Sequence, residues 1–232
     1  MALPTISLPS FETKIPSTKK KIKFRPFLVK EEKVLLMALE GKDKREIANA
    51  IYDVLDDCII TKNVDVRKLP TFDIEYLFLM LRSKSVGEEI TFTMSHGEGI
   101  ECDHKTEVSV NLNEVQVEGK ILDGNIMLTD TVGIKMHYPT IEAIDNLKED
   151  TDAILSVLAS CIDVVFDADD VYEDFTHDEL IEWLGNLNTL QFEKINEFFS
   201  NSPKLSHTIK WKCPKCGQDD EVTIEGLYNF FI

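Results

Sequence analysis

The residues of this chain best suited to chemistry are a close pair of cysteines. Cys213 and Cys216 are separated by two residues within WKCPKCGQDDEV, and Gly217 follows directly. This spacing is typical of a zinc knuckle, because one tight turn brings two thiolates to the same tetrahedral ion. A closed structural zinc site needs four ligands. The pair therefore supplies half of a site, and the other half must come from another segment.

The other two ligands are predicted in the loop at 95–105. This loop holds Cys102, with His96 before it and His104 after it. His96 is the better fourth ligand, because it precedes Cys102 as Cys213 precedes Cys216, whereas His104 is only two residues beyond Cys102. The first interpretation is one structural Zn²⁺ with the ligands Cys213, Cys216, Cys102 and His96, and with His104 as the alternative fourth ligand.

Three other interpretations of the cysteine pair stay open at this point. A degenerate knuckle would hold no metal, and its cysteines would be small buried residues. A redox motif is disfavoured, because a redox C-x-x-C normally opens a helix, whereas Gly217 and polar residues follow here. The ligands could also come from two chains, as a crossed dimer site.

Composition indicates a globular protein in a reducing compartment. The chain has 232 residues and is 43% hydrophobic, enough for one large domain or two small ones. Its five cysteines are odd in number and are not spaced as a disulfide scaffold. No apolar run approaches the roughly 20 residues of a membrane span, and the first residues lack a signal-peptide pattern. We therefore expect an intracellular protein, with Cys58 and Cys161 in the core.

Charge is distributed unevenly along the chain. The net charge is −17, from 25 basic and 42 acidic residues, so most of the surface should repel nucleic acid. Acidic residues gather at 163–179. The asymmetry predicts either a basic arm that docks on another surface or a solvated tail. The basic residues near the start are Lys14, Lys19, Lys20, Lys21, Lys23, Arg25 and Lys30.

Hydrophobic periodicity predicts the elements that position these residues. Residues 1–20 hold little that could form a core and are predicted to be an extended or disordered arm. Period-two alternation around the loop at 95–105 predicts a β-hairpin. Further strands are predicted within 119–138, at 208–212 and at 220–225. Helices are predicted at about 29–41, with Gly41 as the stop, at 43–60, from Thr71 as N-cap, at 140–166 and at 176–201.

The order of elements suggests an internal duplication. Three segments match in order: 50–60 with 153–163, 71–77 with 176–184, and 90–110 with 207–224. The last match places Cys102 over Cys216. The predicted fold class is α+β, with internally duplicated helix-helix-β-hairpin units whose two hairpins pair as a zinc-ribbon-like module. The predicted segments are the arm at 1–20, a first repeat at 21–118, a β-rich insertion at 119–139 and a second repeat at 140–232.

Catalytic motifs are not found in the sequence. It has no Gly-rich phosphate loop, no G-x-S-x-G and no H-E-x-x-H. His137 and His177 stand alone. Asp167, Asp169 and Asp170 could attract a cation, but a solvated acidic turn is the favoured interpretation. An interaction protein is therefore favoured over an enzyme.

Two stretches carry a family resemblance: KFRPFLVKEEKVLLMALEG at 23–41 and LPTFDIEYLFLMLRSKSVGE at 69–88. They resemble the baseplate hub and hub-assembly proteins of T-even-like contractile-tailed bacteriophages, over roughly 20–232. The resemblance implies a non-enzymatic hub component or an assembly chaperone. It also implies that the partners are other baseplate or hub proteins. The expected location is the host-cell cytoplasm during assembly, or the tail baseplate of the virion.

Several surfaces are candidate contacts with those partners. The apolar residues Phe230, Phe231 and Ile232 should be buried in this core or in a partner, and the 119–138 region is a further candidate. The basic start either docks on a neighbouring subunit or packs its aromatic residues on the first helix. The predicted partner-binding residues are Lys20, Lys21, Lys23, Phe24, Arg25 and Phe27.

Two other function classes follow from the same residues. A zinc-ribbon nucleic-acid-binding or transcription factor would bind through 14–30 and would be sensitive to salt. An enzyme would need perturbed carboxylates in a cleft. No small-molecule substrate is expected.

Overall fold

The computed structural model describes residues 6–96, 102–145 and 153–230. Within these ranges the chain is a mixed α+β protein, as the sequence predicts. The helices are α1 (Val29–Gly41), α2 (Lys44–Cys58), α3 (Thr71–Ser85), α4 (Ile141–Asp145), α5 (Ala153–Ser160), α6 (His177–Gly185) and α7 (Thr189–Ser200). The strands are β1 (Phe11–Lys14), β2 (Lys21–Phe24), β3 (Glu89–Met94), β4 (Thr106–Asn111), β5 (Gln116–Glu118), β6 (Asn125–Met127), β7 (Gly133–Met136), β8 (Ile162–Phe166), β9 (Val171–Tyr172), β10 (Lys204–Lys212) and β11 (Asp219–Glu225).

Helices α1 and α2 begin and end close to the predicted residues. The side chain of Asp43 caps α2 by accepting hydrogen bonds from the backbone N–H groups of Arg45 and Glu46. Helix α1 ends as predicted, but the left-handed residue that stops it is Lys42, with φ 56°, and Gly41 is the last helical residue.

Helix α3 is the central element of the molecule. Nine of its 15 residues are buried, on all sides of the helix. Ile74 and Leu77 pack in one hydrophobic cluster, whereas Phe72 packs in the other. Thr71 is the first helical residue rather than the predicted N-cap, because its hydroxyl donates to the Pro139 carbonyl at 2.9 Å. The chain before α4 is thereby fixed to the start of α3.

Two hairpins extend toward the candidate site. Strands β3 and β4 pair from Glu89 opposite Asn111 to Met94 opposite Thr106, as predicted, so the segment after Met94 returns beside its start. Strands β10 and β11 pair as far as Lys212 opposite Asp219, so the cysteine pair lies in the connecting turn. Strand β5 completes the order β11-β10-β5.

The region after Pro139 differs from its predicted helices. The helix predicted through residue 166 ends earlier, and Ile162–Phe166 is strand β8, between β7 and β9 in the sheet β6-β7-β8-β9. β-branched residues in IDVVF suit a strand that has a partner on both sides. The helix predicted at 176–201 is two helices, because Asn188 caps α7 together with Gln191.

The first described residues form a hairpin on the first core. Strand β1 pairs with β2, and Ile15 and Ile22 are buried. Asp73 at the start of α3 accepts hydrogen bonds from the backbone N–H and the hydroxyl of Ser17. The boundary predicted at residue 20 lies in the turn of this hairpin, and the division into four segments stays a prediction.

Two hydrophobic clusters make up the core of the described chain. The first joins the β1–β2 hairpin, α2, α3 and β10, and includes Trp211 and the buried Phe230. Phe231 and Ile232, also predicted to be buried, lie outside the described residues. The second cluster joins α5, α6 and α7 to the four-stranded sheet. Tyr138 connects the second cluster to α3. Its ring stacks on the Phe198 ring, with centroids 4.6 Å apart, and contacts the Phe72 ring edge-on, with centroids 5.3 Å apart.

Candidate metal centre

A tight turn holds the cysteine pair between β10 and β11. The backbone N–H of Cys213 donates to the Gln218 carbonyl, and the N–H of Gly217 donates to the Cys213 carbonyl, both at 2.9 Å. Gly217 has φ 75°, a left-handed conformation that favours glycine. The turn leaves both sulfur atoms on the side that faces the end of the β3–β4 hairpin.

The structure brings four of the predicted ligands together. One ligand atom from each residue lies within 4.8 Å of every other. The Cys102 and Cys213 sulfurs are 3.9 Å apart, and the Cys216 sulfur is 3.3 Å from Nε2 of His96. His104, the predicted alternative, is not in the group. The group consists of His96, Cys102, Cys213 and Cys216.

These separations fit a tetrahedral ion bound by sulfur and nitrogen. With Zn–S near 2.3 Å and Zn–N near 2.0 Å, two sulfurs of a tetrahedral site are about 3.8 Å apart, and a sulfur and a nitrogen about 3.6 Å. The two measured contacts are close to these edges. A set of three thiols and one imidazole suits Zn²⁺ and other soft divalent metals, and does not suit Mg²⁺ or Ca²⁺.

The turn also favours a thiolate at one cysteine. The backbone N–H of Cys216, together with the His96 imidazole and the N–H of Lys215, lowers the pKa of Cys213 to about 6. The backbone N–H of Gln218 acts to lower the pKa of Cys216. Burial and the neighbouring sulfurs of Cys213 and Cys102 outweigh it, so the pKa is raised. A thiolate is therefore favoured at Cys213 over Cys216.

The site lies partly inside the protein. Cys213 is buried, the side chain of His96 is 1% exposed, and Cys216 faces solvent. The ring of Trp211 lies 6.5 Å from the His96 ring. Lys215 forms a surface ion pair with Asp103, at 2.6 Å, which joins the two ligand loops outside the cluster.

Asp220 also contacts this group, which its position in the sequence does not predict. Its Oδ2 lies 3.0 Å from Nδ1 of His96, on the side of the ring away from the sulfurs. The only signal in the sequence was the acidic run directly after the knuckle, and such runs usually lie at the surface.

The two remaining cysteines are core residues, as predicted. Cys58 ends α2 and Cys161 follows α5, and both are fully buried. Burial raises the pKa of each thiol to about 11. Neither thiol is poised for chemistry at neutral pH.

The other polar candidates have structural partners. His137 contacts Asp163 at 2.9 Å, and His177 contacts Ser156 at 3.0 Å. Asp167 accepts hydrogen bonds from the backbone N–H groups of the two aspartates after it, which lower its pKa. This arrangement is a local turn.

The predicted partner-binding residues divide between surface and core. Lys20, Lys21 and Lys23 are exposed, although Lys20 donates to the Asn63 carbonyl and Lys23 pairs with Glu12. In contrast, Phe24 is buried in the first core, and Phe27 packs against that core. Arg25 forms an ion pair with the buried Glu31.

A protein-family model described as T4 bacteriophage base plate protein matches residues 8–232, nearly the whole chain. The chain belongs to this family. The family resemblance noted in the sequence is thereby confirmed at the level of the baseplate. No curated protein and no solved structure matches the chain.

The described part of this baseplate protein contains no helix long and apolar enough to cross a membrane. Its candidate metal centre is located where two hairpins meet, and its helix α1 exposes several large apolar side chains. Both features bear on how it acts within a baseplate.

Proposed function

We propose that this baseplate protein is a non-enzymatic hub component or hub-assembly chaperone that acts through protein–protein contacts. The family supports a structural role in the phage baseplate. The observation that carries the contact role is helix α1, which exposes five large apolar side chains. These are Val29, Val34, Leu36, Met37 and Leu39.

Helix α1 is apolar on more sides than its own core covers. Its Ala38 is buried and Leu35 packs against the first core, whereas the five side chains named above are 46–81% exposed. Apolar patches on a protein surface mark interaction sites. A groove of about 140 Å³ beside α1, lined by residues that include Leu36 and Ile47, extends this surface.

The basic hairpin is a second proposed contact. Lys20, Lys21 and Lys23 would meet an acidic partner surface. In the same proposal, Phe24 and Phe27 hold the hairpin in place by packing in or against the first core. Arg25 joins it to α1 through Glu31.

A test of the hub role uses phage that carry Leu36→Asp with Met37→Asp. Val171→Asp, a change on the exposed strand β9, is the matched control. Mass spectrometry of mature particles should find the wild-type protein at fixed copy number if it is a component. If it is a chaperone, it should instead be bound only to hub subunits before assembly is complete.

The double variant should be absent both from mature particles and from complexes with hub subunits, whereas the control should behave as wild type. A double variant that is retained as well as wild type would contradict the role of α1. Salt-sensitive DNA or RNA binding that is lost when the three lysines become glutamine would instead support the nucleic-acid alternative.

The cysteine–histidine group is proposed to hold one structural Zn²⁺. Cys102, Cys213, Cys216 and His96 would bind it, and the ion would stabilise three thiolates close together. Support comes from the donor set and the separations of the ligand atoms. All four positions are filled by protein, so the chemistry is that of a closed structural site rather than a catalytic one.

The metal would join two hairpins in a zinc-ribbon-like module, and we propose that these hairpins derive from a duplication. Support comes from their like positions after a helical region and from two buried cysteines. Cys58 is the last residue of α2, Cys161 directly follows α5, and each leads into β-pairing. Ile59, after Cys58, bridges to Phe24, whereas Ile162, after Cys161, pairs with Met136.

Elemental analysis of the purified protein tests the metal proposal. About one zinc per chain is expected, and Cys102→Ser should lose it while Cys161→Ser, a change in the core, should retain it. Less than one zinc per several chains, with thermal unfolding unchanged by a chelator, would refute the site.

A further inference from the structure

We infer that Asp220 is a positioning residue for the metal centre, and that its carboxylate fixes the ring of His96 so that Nε2 is the ligand atom. This inference rests on the metal site of the proposed function. It concerns a residue that is not itself a ligand.

The two ring nitrogens of His96 face chemically opposite groups. Nδ1 lies 3.0 Å from Oδ2 of Asp220, whereas Nε2 lies 3.3 Å from the sulfur of Cys216. An ionised carboxylate only accepts hydrogen bonds, so Nδ1 carries the proton and donates it. The lone pair of a neutral imidazole is then on Nε2, which points into the group of sulfurs.

Asp220 is itself held in place. Its other oxygen, Oδ1, accepts a hydrogen bond from the backbone N–H of Glu221 at 2.9 Å. Its backbone lies opposite Trp211 in the β10–β11 ladder, and the Trp211 ring lies beside the His96 ring. The carboxylate therefore has one oxygen fixed to its own strand and the other directed at His96.

This contact crosses between the two hairpins. His96 follows β3 in the first half of the chain, whereas Asp220 lies on β11 in the second. The His96 side chain is 1% exposed, so water competes little for Nδ1. Carboxylate–histidine–metal arrangements make the imidazole a stronger ligand and fix its tautomer, and loss of such a partner typically costs 10–100-fold in metal affinity.

The experiment compares Asp220→Asn with Glu221→Gln in the full chain. Both substitutions remove one negative charge from neighbouring positions of β11, but Glu221 is an exposed residue that pairs with Lys210. Zn²⁺ is the only ligand added, and competition with a chromophoric chelator measures the affinity of each variant for it. We expect Asp220→Asn to lower the affinity roughly 10–100-fold, and Glu221→Gln to change it less than about twofold.

A second measurement separates positioning from a general loss of structure. Long-range ¹H–¹⁵N correlations of the zinc-loaded wild type should show Nε2 bound to metal and Nδ1 protonated. In zinc-saturated Asp220→Asn the Nδ1–H signal should shift and exchange faster with water, while the thermal unfolding midpoint stays near that of Glu221→Gln. Unchanged zinc affinity in Asp220→Asn, or ligation through Nδ1 in the wild type, would overturn the inference and leave the metal site intact.

A wild-type protein that binds no zinc would overturn both the site and this inference. That outcome is distinguishable, because it appears in the wild type before any variant is compared.

Discussion

At the scale of single residues, stability should depend on the contact between Arg25 and Glu31. The guanidinium donates to both carboxylate oxygens, at 3.0 and 3.2 Å, and the Glu31 side chain is 4% exposed. Arg25→Gln should lower the free energy of unfolding by roughly 2–3 kcal/mol. Removing one partner of a fully buried ion pair costs about 3–5 kcal/mol. The expected loss is smaller here because the Arg25 side chain is 18% exposed. Urea unfolding measures it.

A matched control for that substitution is Lys23→Gln, two residues earlier. Lys23 pairs with Glu12 at the surface, where both side chains are more than half exposed. Its loss should cost less than about 0.5 kcal/mol. Equal destabilisation by the two substitutions would show that burial of Glu31 is not what makes its pairing important.

The same residue pair predicts a dependence on pH. Burial acts to raise the pKa of Glu31, but hydrogen bonds from Arg25, the Leu28 N–H and Lys30 together lower it. The stabilisation is therefore present above the unfolded value of about 4.3 and is lost as the pH falls through the lower folded value. The difference in unfolding free energy between wild type and Arg25→Gln should be largest near pH 7 and should shrink below about pH 4. A constant difference from pH 7 to pH 3 would contradict this assignment.

The residues of the candidate metal centre were predictable from the sequence because cysteine and histidine spacing is a local signal. Cys213 and Cys216 stand out by their own spacing and Cys102 by its alignment with Cys216. His96 stands out because it precedes Cys102 as Cys213 precedes Cys216. Asp220 was not predictable, because only the meeting of two hairpins places it beside His96. The burial of Phe24 depends likewise on which face of β2 meets the core, and four residues of alternation define that face weakly.

At the scale of elements, a glycine directly before a strand and a glycine in a turn should respond differently to the same substitution. Gly124 and Gly217 both have a positive φ, at 78° and 75°. A Cβ at Gly124 would lie 1.9 Å from the Met136 carbonyl oxygen, whereas one at Gly217 would meet no atom within 4 Å. Gly124→Ala should destabilise the β6–β7 hairpin by roughly 3 kcal/mol or more, and Gly217→Ala by about 1–2 kcal/mol.

Urea unfolding of the two alanine variants tests this difference. Met136 also donates its backbone N–H to the Gly124 carbonyl at 2.9 Å, so relief of the clash would break a strand contact. Similar stabilities for the two variants would mean that the backbone at Gly124 can shift to relieve the clash without a loss of stability.

The elements themselves were predictable where one period dominates. Helix α2 has a single apolar stripe, and the β3–β4 hairpin alternates, so both were predicted within a few residues. Strand β8 was missed because it continues the apolar run of α5, in which helix and strand periods are both satisfied. Pairing with β7, which is distant in sequence, and with β9, which follows closely, decides the outcome.

At the scale of the whole molecule, the two cores are joined through α3. Phe72 packs in the second cluster and Ile74 in the first, on a helix buried on all sides. A change in stability on one side of α3 should therefore be transmitted to the other. The two tryptophans allow this to be measured, because Trp211 belongs to the first cluster and Trp183 packs against the second.

Removal of the Zn²⁺ that we propose should shift both tryptophan signals together. A ligand that binds only the folded state stabilises it by about 2.7 kcal/mol at a hundredfold excess over its dissociation constant, and a chelator removes this term. In Trp183→Phe, fluorescence reports on Trp211 beside the metal site; in Trp211→Phe, it reports on Trp183 in the other core. Because α3 contributes to both cores, the unfolding midpoint should fall by the same amount in the two variants after chelation. If chelation lowered the unfolding midpoint reported by Trp211 but not the one reported by Trp183, the two cores would unfold separately. The metal would then stabilise only the hairpins it joins.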